Sequence, residues 1–264
     1  RESFDVSLSR GVLTHVADKR KAFSVVAGAA KPGGYVVYGD RNQAGGVQEM
    51  LQRLAIYHFA GDDPSQIVDV AEELFSDDIT RSQKAVPRTR EAIIYDRWVI
   101  QQQDDPSVEE DLKMFEEEGL EYVSSWPRID FTGRGESSFS NPKDASALKD
   151  SAPIVESLWM LLAGGEEENL FSTTPSDYEE FTKPLQEFTG ALRNLRADSV
   201  PAISEILEHV KNLSHTSRKV WASPIRLGER LQTFLTETSL FVSVLENAER
   251  PSELRDAIQS FKIL

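Results

Sequence analysis

At 264 residues with 39% hydrophobic side chains, the chain is long enough to bury a core in one large domain or two small ones. Its formal net charge of −15 argues against a phosphate-binding surface, because nucleic-acid affinity rests on lysine and arginine neutralising phosphates. The chain has no cysteine, which excludes zinc–thiolate sites, iron–sulfur clusters, disulfides and thiol nucleophiles; no apolar run approaches the roughly 20 residues that cross a bilayer. With no secretory signal in view, the expectation is a cytoplasmic protein that binds neither nucleic acid nor membrane.

Phe4 to Leu8 reads as a short buried strand that turns at Ser9 to Gly11. Asp18 to Ala30 places Phe23, Val26, Ala27 and Ala30 at three- and four-residue spacing, which gives a helix one apolar face. Lys31-Pro32-Gly33-Gly34 stops that helix, and Tyr35 to Tyr38 forms a second buried strand. Such a strand–helix–strand unit has parallel strands, needs both sheet faces covered, and points polar groups at the carboxyl ends of its strands into a ligand crevice.

Arg41 to Gly46 is a polar loop, after which Val47, Met50, Leu51, Leu54 and Tyr57 fall on one helical face as far as Gly61. Asp63 caps the next helix with Pro64 in its first turn, and Ile67, Val68, Ala71, Leu74 and Phe75 form its apolar stripe. Glu91 to Gln102 contains Ala-Ile-Ile-Tyr-Asp-Arg-Trp-Val-Ile, whose period fits either strand or helix. Ser107 and Glu110 have the spacing of a capping box for a helix with Val108, Leu112 and Phe115 on one face. Gly119 ends it, and Leu120 to Trp126 reads as a strand.

Residues 132–150, rich in glycine, serine, asparagine, proline and lysine, form the expected linker between an α/β part at 1–131 and a helical region at 151–264. In that second region Tyr178, Phe181, Leu185, Phe188, Leu192 and Leu195 make a heptad seam, with Pro184 inside it expected to kink or divide the helix. Stripes at Ile203 to Leu213, Leu227 to Leu245 and Leu254 to Phe261, with a helix at Ile154 to Leu162, complete four or five helices. Their economical packing is an up-and-down bundle, with a homodimer through the helical region as the alternative.

The residues from Phe4 to Asp40 resemble the class I S-adenosylmethionine-dependent methyltransferases. The likeness lies in Phe4-Asp5-Val6-Ser7-Leu8-Ser9, Val12-Leu13, His15-Val16 and Lys31-Pro32-Gly33-Gly34-Tyr35-Val36. It implies an α/β fold in which these strands are the fourth and fifth of a partial Rossmann-like sheet, followed by an all-α helical bundle region. It further implies S-adenosyl-L-methionine as cofactor and a small-molecule or biosynthetic-intermediate methyl acceptor as partner. The helix, Glu-Glu-Gly-Leu and strand around Gly119 are similar to the family's late helix and sixth strand. Helices inserted after the fifth strand often form a lid in that family, which makes residues 43 to about 90 the expected lid, or else a cover for a sheet edge. The family's glycine-rich cofactor loop lies before the fourth strand; only Arg1-Glu2-Ser3 stands there, so the expectation is the carboxyl-terminal part of a longer enzyme. A scaffold built on such a half, with the acidic bundle binding a partner, is the competing expectation.

By the same resemblance, Ser9, Arg10 and Gly11 sit where the family's chain passes the methionine portion of the cofactor. His15 lies just past that turn and is the candidate base, since an imidazole takes a proton near neutral pH; its ring could instead pack at the start of the crossover helix. Tyr38 and Asp40 end the second strand at the same edge and are candidate substrate contacts, although Asp40 equally suits the start of the next turn. Tyr95 and Arg97 offer an aromatic face and a cation to a polar substrate, or else a surface ion pair beside a packed tyrosine. No metal site is expected: His209 and His215 are six apart, off one helical face, and no acidic partner completes a set with them or with His58.

Overall fold

The computed structural model describes residues 3–100, 104–125, 129, 143–144, 148, 152–161, 179–193, 195–220 and 226–258. In chain order the elements begin with β1 (Phe4–Arg10), α1 (Lys19–Ala27), β2 (Ala30–Gly39), α2 (Val47–Ala60), α3 (Pro64–Ala85) and α4 (Arg90–Ile94). They continue with α5 (Val108–Glu117), β3 (Glu121–Tyr122), β4 (Lys143–Asp144), α6 (Ala152–Met160), α7 (Glu179–Arg193), α8 (Ile203–Val220), α9 (Arg226–Asn247) and α10 (Pro251–Ile258). A 3₁₀ turn spans Leu13–His15, and a turn of π-helix spans Tyr95–Val99.

The chain divides into two compact units, residues 1–46 with 102–178 and residues 47–101 with 179–264. This grouping differs from the division expected from composition. The helices read as a lid on the α/β part share a unit with the carboxyl-terminal helices, because α3 packs on α10 and α2 packs on α7.

In the first unit β1 and β2 are parallel neighbours, with Ser7 opposite Val36 and Ser9 opposite Tyr38, and α1 is the crossover between them. Asp18 starts α1 by accepting the Lys21 N–H at 3.0 Å, and the Ser7 hydroxyl donates to the Val26 carbonyl at 2.7 Å, fastening helix to strand. Phe23 and Ala27 pack on Val36, Tyr38, Leu13, Met114 and Phe115. The rings of Phe23, Tyr38 and Phe115 meet edge to face, 5.1 Å apart between Phe23 and Phe115 and 5.7 Å between Phe23 and Tyr38.

Side chains alternate across a strand, so Phe4, Val6 and Leu8 share the other sheet face with Tyr35 and Val37. That face is open: Leu8 is 66% exposed and Val37 47%. The expectation of a sheet covered on both sides therefore holds for one face only, since α1 and α5 lie on the same side. Lys31 to Gly34 does not precede β2 but forms an irregularity within it: between the Phe4–Ala30 and Val6–Tyr35 pairs β1 advances two residues and β2 five. Gly34 is required there, because a Cβ would come within 2.8 Å of the Asp5 carbonyl oxygen.

Ser107 forms the expected capping box with Glu110 at the start of α5, and Gly119 leaves the helix at φ +66°. The strand that follows is shorter than expected. It does not join β1 and β2; its two residues pair antiparallel with β4 in a separate sheet.

In the second unit Gly61 (φ +61°) ends α2, and the Asp63 carboxylate caps α3 by accepting the N–H groups of Ser65 and Gln66. Within the ambiguous stretch, Glu91 to Val99 is helical, α4 running into the π turn. The Tyr57 hydroxyl donates to the Trp98 carbonyl at 2.6 Å, and the buried Arg53 guanidinium donates to the Arg97 carbonyl at 2.7 Å, so α2 holds that turn. Along α7, Phe181, Leu185, Phe188 and Leu192 are fully buried, as the heptad seam requires; α7 runs on through Pro184 without division. Ile206, Val210 and Leu213 of α8 and Leu231, Leu235, Phe241 and Leu245 of α9 are equally enclosed, with α7, α8, α9 and α10 packing in succession. Nearly all of the expected linker, together with Tyr178 and Phe261 and the side chain of Leu227, lies outside the described residues. Among the described residues no helix is long and apolar enough to cross a membrane.

Candidate active site

Parallel strands bring the ends of β1 and β2 to one edge, and five of the eight residues singled out above belong there. Ser9, 8% exposed, lies beside Tyr38 on the covered face, and Arg10 lies beside Gly39. The Arg10 side chain is exposed and makes no ion pair among the described residues. Gly11 turns the chain at φ +66°, which favours glycine, and its N–H donates to the Gly39 carbonyl at 2.8 Å, continuing the ladder by one bond. His15 closes the 3₁₀ turn, its backbone N–H donating to the Val12 carbonyl at 3.1 Å and its side chain exposed.

Asp40 faces this turn and not a crevice. Its Oδ2 accepts the N–H groups of Leu13 (2.8 Å) and Thr14 (3.1 Å), and its Oδ1 accepts the Thr14 hydroxyl (3.4 Å). Tyr38 is corrected as well: its ring packs in the aromatic cluster under α1, and its hydroxyl is enclosed facing Asp111 on α5. Burial, followed by the negative charges of Asp111 and Asp40, holds that phenol far above its usual range.

Tyr95 and Arg97 fall in the other unit. Arg97 is spent on an ion pair with Asp78, and neighbouring Asp96 pairs with Arg88 at 2.7 Å, while Tyr95 is 40% exposed. The ion pairs of the alternative reading are present, Arg97–Asp78 partly buried and Arg88–Asp96 exposed, but the tyrosine beside them is exposed where that reading has it packed.

Several residues at the strand edge escaped the sequence reading. The Asp104 N–H donates to the Thr14 carbonyl at 2.9 Å, and its carboxylate pairs with the Lys19 ammonium at 2.6 Å. Asp105 pairs with Arg41 at 3.2 Å, and the Pro106 carbonyl accepts from the Asn42 side chain (3.0 Å) and the Gln43 N–H (2.8 Å). The Asp111 carboxyl is held well above the usual carboxylate range, chiefly by burial, with Glu110 and Asp40 adding to the effect and Tyr38 and Lys19 opposing it. A polar run directly before a capping box, Asp104-Asp105-Pro106-Ser107, was the available signal, but it names no partner. Among the described residues no three histidine, aspartate or glutamate side chains are grouped to hold a metal ion.

No curated protein and no solved structure matches the chain. Residues 1–38 match a family model described as a methyltransferase domain, and those residues are β1, the turn after it, α1 and β2 as far as Tyr38.

Proposed function

We propose that this chain is part of an S-adenosylmethionine-dependent methyltransferase that acts on a small molecule or biosynthetic intermediate. The carrying observation is the parallel β1–β2 pair with its α1 crossover over the matched residues. Bound at the strand edge, the cofactor supplies a sulfonium methyl group open to in-line displacement. The protein's task is to hold the two reactants in line and exclude water between them.

The residues at the edge suit the amino-acid end of that cofactor. Arg10 is an exposed cation in a chain of net charge −15, and a guanidinium takes a carboxylate in paired hydrogen bonds. Ser9 and Gly11 shape the backbone beside it; the Gly11 N–H, spent on Gly39, adds no donor. His15 is the base for an acceptor hydroxyl or amine that must lose a proton. On the other sheet face Phe4, Val6, Leu8, Tyr35 and Val37 are exposed apolar side chains.

The test is calorimetric titration of S-adenosylhomocysteine into the chain, after circular dichroism shows it folded. Saturable binding that weakens in Arg10→Ala is expected. A folded chain that gives no heat of binding overturns the reading.

A further inference from the structure

We infer that Asp40 is a positioning residue, which with Asp104 clasps Thr14 and so fixes the shape of the turn from Gly11 to His15. The functional weight of this role rests on the methyltransferase reading above; the clasp itself does not.

A three-residue 3₁₀ turn has little to hold it. Inside the segment the His15 N–H to Val12 (3.1 Å) and the Val16 N–H to Leu13 (3.2 Å) close rings. Leu13 and Thr14 are nonetheless shut away from water, at 2% and 4% exposure, so their N–H groups need partners within the protein. Asp40 supplies both through one oxygen and takes the Thr14 hydroxyl with the other. The Asp104 N–H donates to the Thr14 carbonyl at 2.9 Å. Every polar group of Thr14 is thus gripped, N–H and hydroxyl by the end of β2 and carbonyl by the segment before α5.

Each jaw is itself fixed. Asp40 follows the last ladder residue of β2, and Gly11 is bonded to Gly39 immediately before it. Asp104 is tied by Lys19 to the first turn of α1, and Asp105 and Pro106 hold the loop of Arg41 to Gln43. With three donors on its two oxygens, Asp40 is committed to the turn and is a poor substrate ligand.

The experiment is amide hydrogen exchange by NMR on the full chain, comparing Asp40→Ala and Asp40→Asn with the unaltered protein. In Asp40→Ala the Leu13 and Thr14 amides should exchange at least about tenfold faster, the loss of roughly one buried hydrogen bond each, with the Phe23 amide of α1 nearly unchanged. Asp40→Asn keeps an oxygen for both N–H groups and should restore most of the protection. Equal exchange in Asp40→Ala and the unaltered chain overturns the clasp, and so does an acceleration that Phe23 shares in full. If Asp40→Ala does not fold, Asp40→Glu, whose carboxylate is displaced by one methylene, is read by the same two criteria. S-adenosylhomocysteine titration on the same samples separates the two claims. Selective exchange without ligand binding upholds the clasp while the methyltransferase reading falls; where the unaltered chain binds, Asp40→Ala should weaken binding and Asp40→Asn should not.

Discussion

Glu156 carries a cost that depends on pH, and replacing it with glutamine should remove that cost. The side chain, on α6, is 5% exposed, and its Oε1 accepts the Val108 N–H at 2.8 Å, at the first residue of α5. Burial is the main cause that pushes its pKa up from 4.5 to about 7; the charges of Glu109 and Glu110 add to it, and the bonds from Val108 and Asn42 oppose it. Below pH 4.5 the group is protonated whether the chain is folded or not, and it contributes no slope. Between 4.5 and about 7 the unfolded chain has lost the proton that the folded chain still holds, so stability falls by about 1.4 kcal/mol per pH unit. Above that range both states are ionised and the loss stands at about 3 kcal/mol, as an order of magnitude. In Glu156→Gln the amide oxygen still accepts from Val108, so the variant should match the unaltered chain near pH 4.5. By pH 8 it should exceed it by about 1 to 3 kcal/mol, less whatever the new amide N–H groups cost if unpaired. Urea unfolding followed by circular dichroism, run on both proteins from pH 4.5 to 8, measures the difference. A difference that stays constant with pH, or a variant less stable at pH 8, refutes the reasoning.

Asp111→Asn should behave in the same sense. The carboxyl is raised by burial beside Tyr38, so stability is lost as pH rises through the carboxylate range towards its folded pKa, and the asparagine variant should show a flatter pH dependence in the same unfolding series. Gly34→Ala drives a Cβ to 2.8 Å from the Asp5 carbonyl and 2.9 Å from that of Lys31, both backbone atoms, and should destabilise the first unit by about 1 to 3 kcal/mol; an unchanged Tm would contradict the register shift in β2. Tyr57→Phe strips the Trp98 carbonyl of its 2.6 Å donor in a buried place and should cost about 1 to 2 kcal/mol in chemical unfolding. His15→Ala should lower methyl transfer by about 100-fold or more while leaving S-adenosylhomocysteine affinity intact; unchanged turnover removes His15 as base.

What could be read from the sequence follows from how far apart the deciding atoms lie. The caps at Asp63 and Ser107, the stop at Gly61 and the seam from Phe181 to Leu192 each depend on residues within one or a few turns, and the structure has them where spacing puts them. The parallel pairing of β1 and β2 was legible for a related reason: a crossover helix of this length between two strands leaves little other choice. Tyr38 was misplaced because alternation gives the parity of a strand but not which face a helix will cover; Ser7, bonded to Val26, and Ser9 show that β1 turns its small polar residues toward α1 and its apolar ones outward. Hydrophobicity alone suggests the reverse orientation. Asp40 could be assigned to a turn but not to Thr14, 26 positions earlier, and Asp104 lies farther still from the turn it holds. The grouping of α2 and α3 with the carboxyl-terminal helices was equally out of reach, since an apolar stripe records that a face is covered and carries nothing about what covers it. In this chain, then, the chemistry-bearing residues were visible as types at an edge, while the contacts that decide their roles, Asp40 to Thr14 and Tyr38 to Phe23, are long-range bonds and packings that only the folded arrangement specifies.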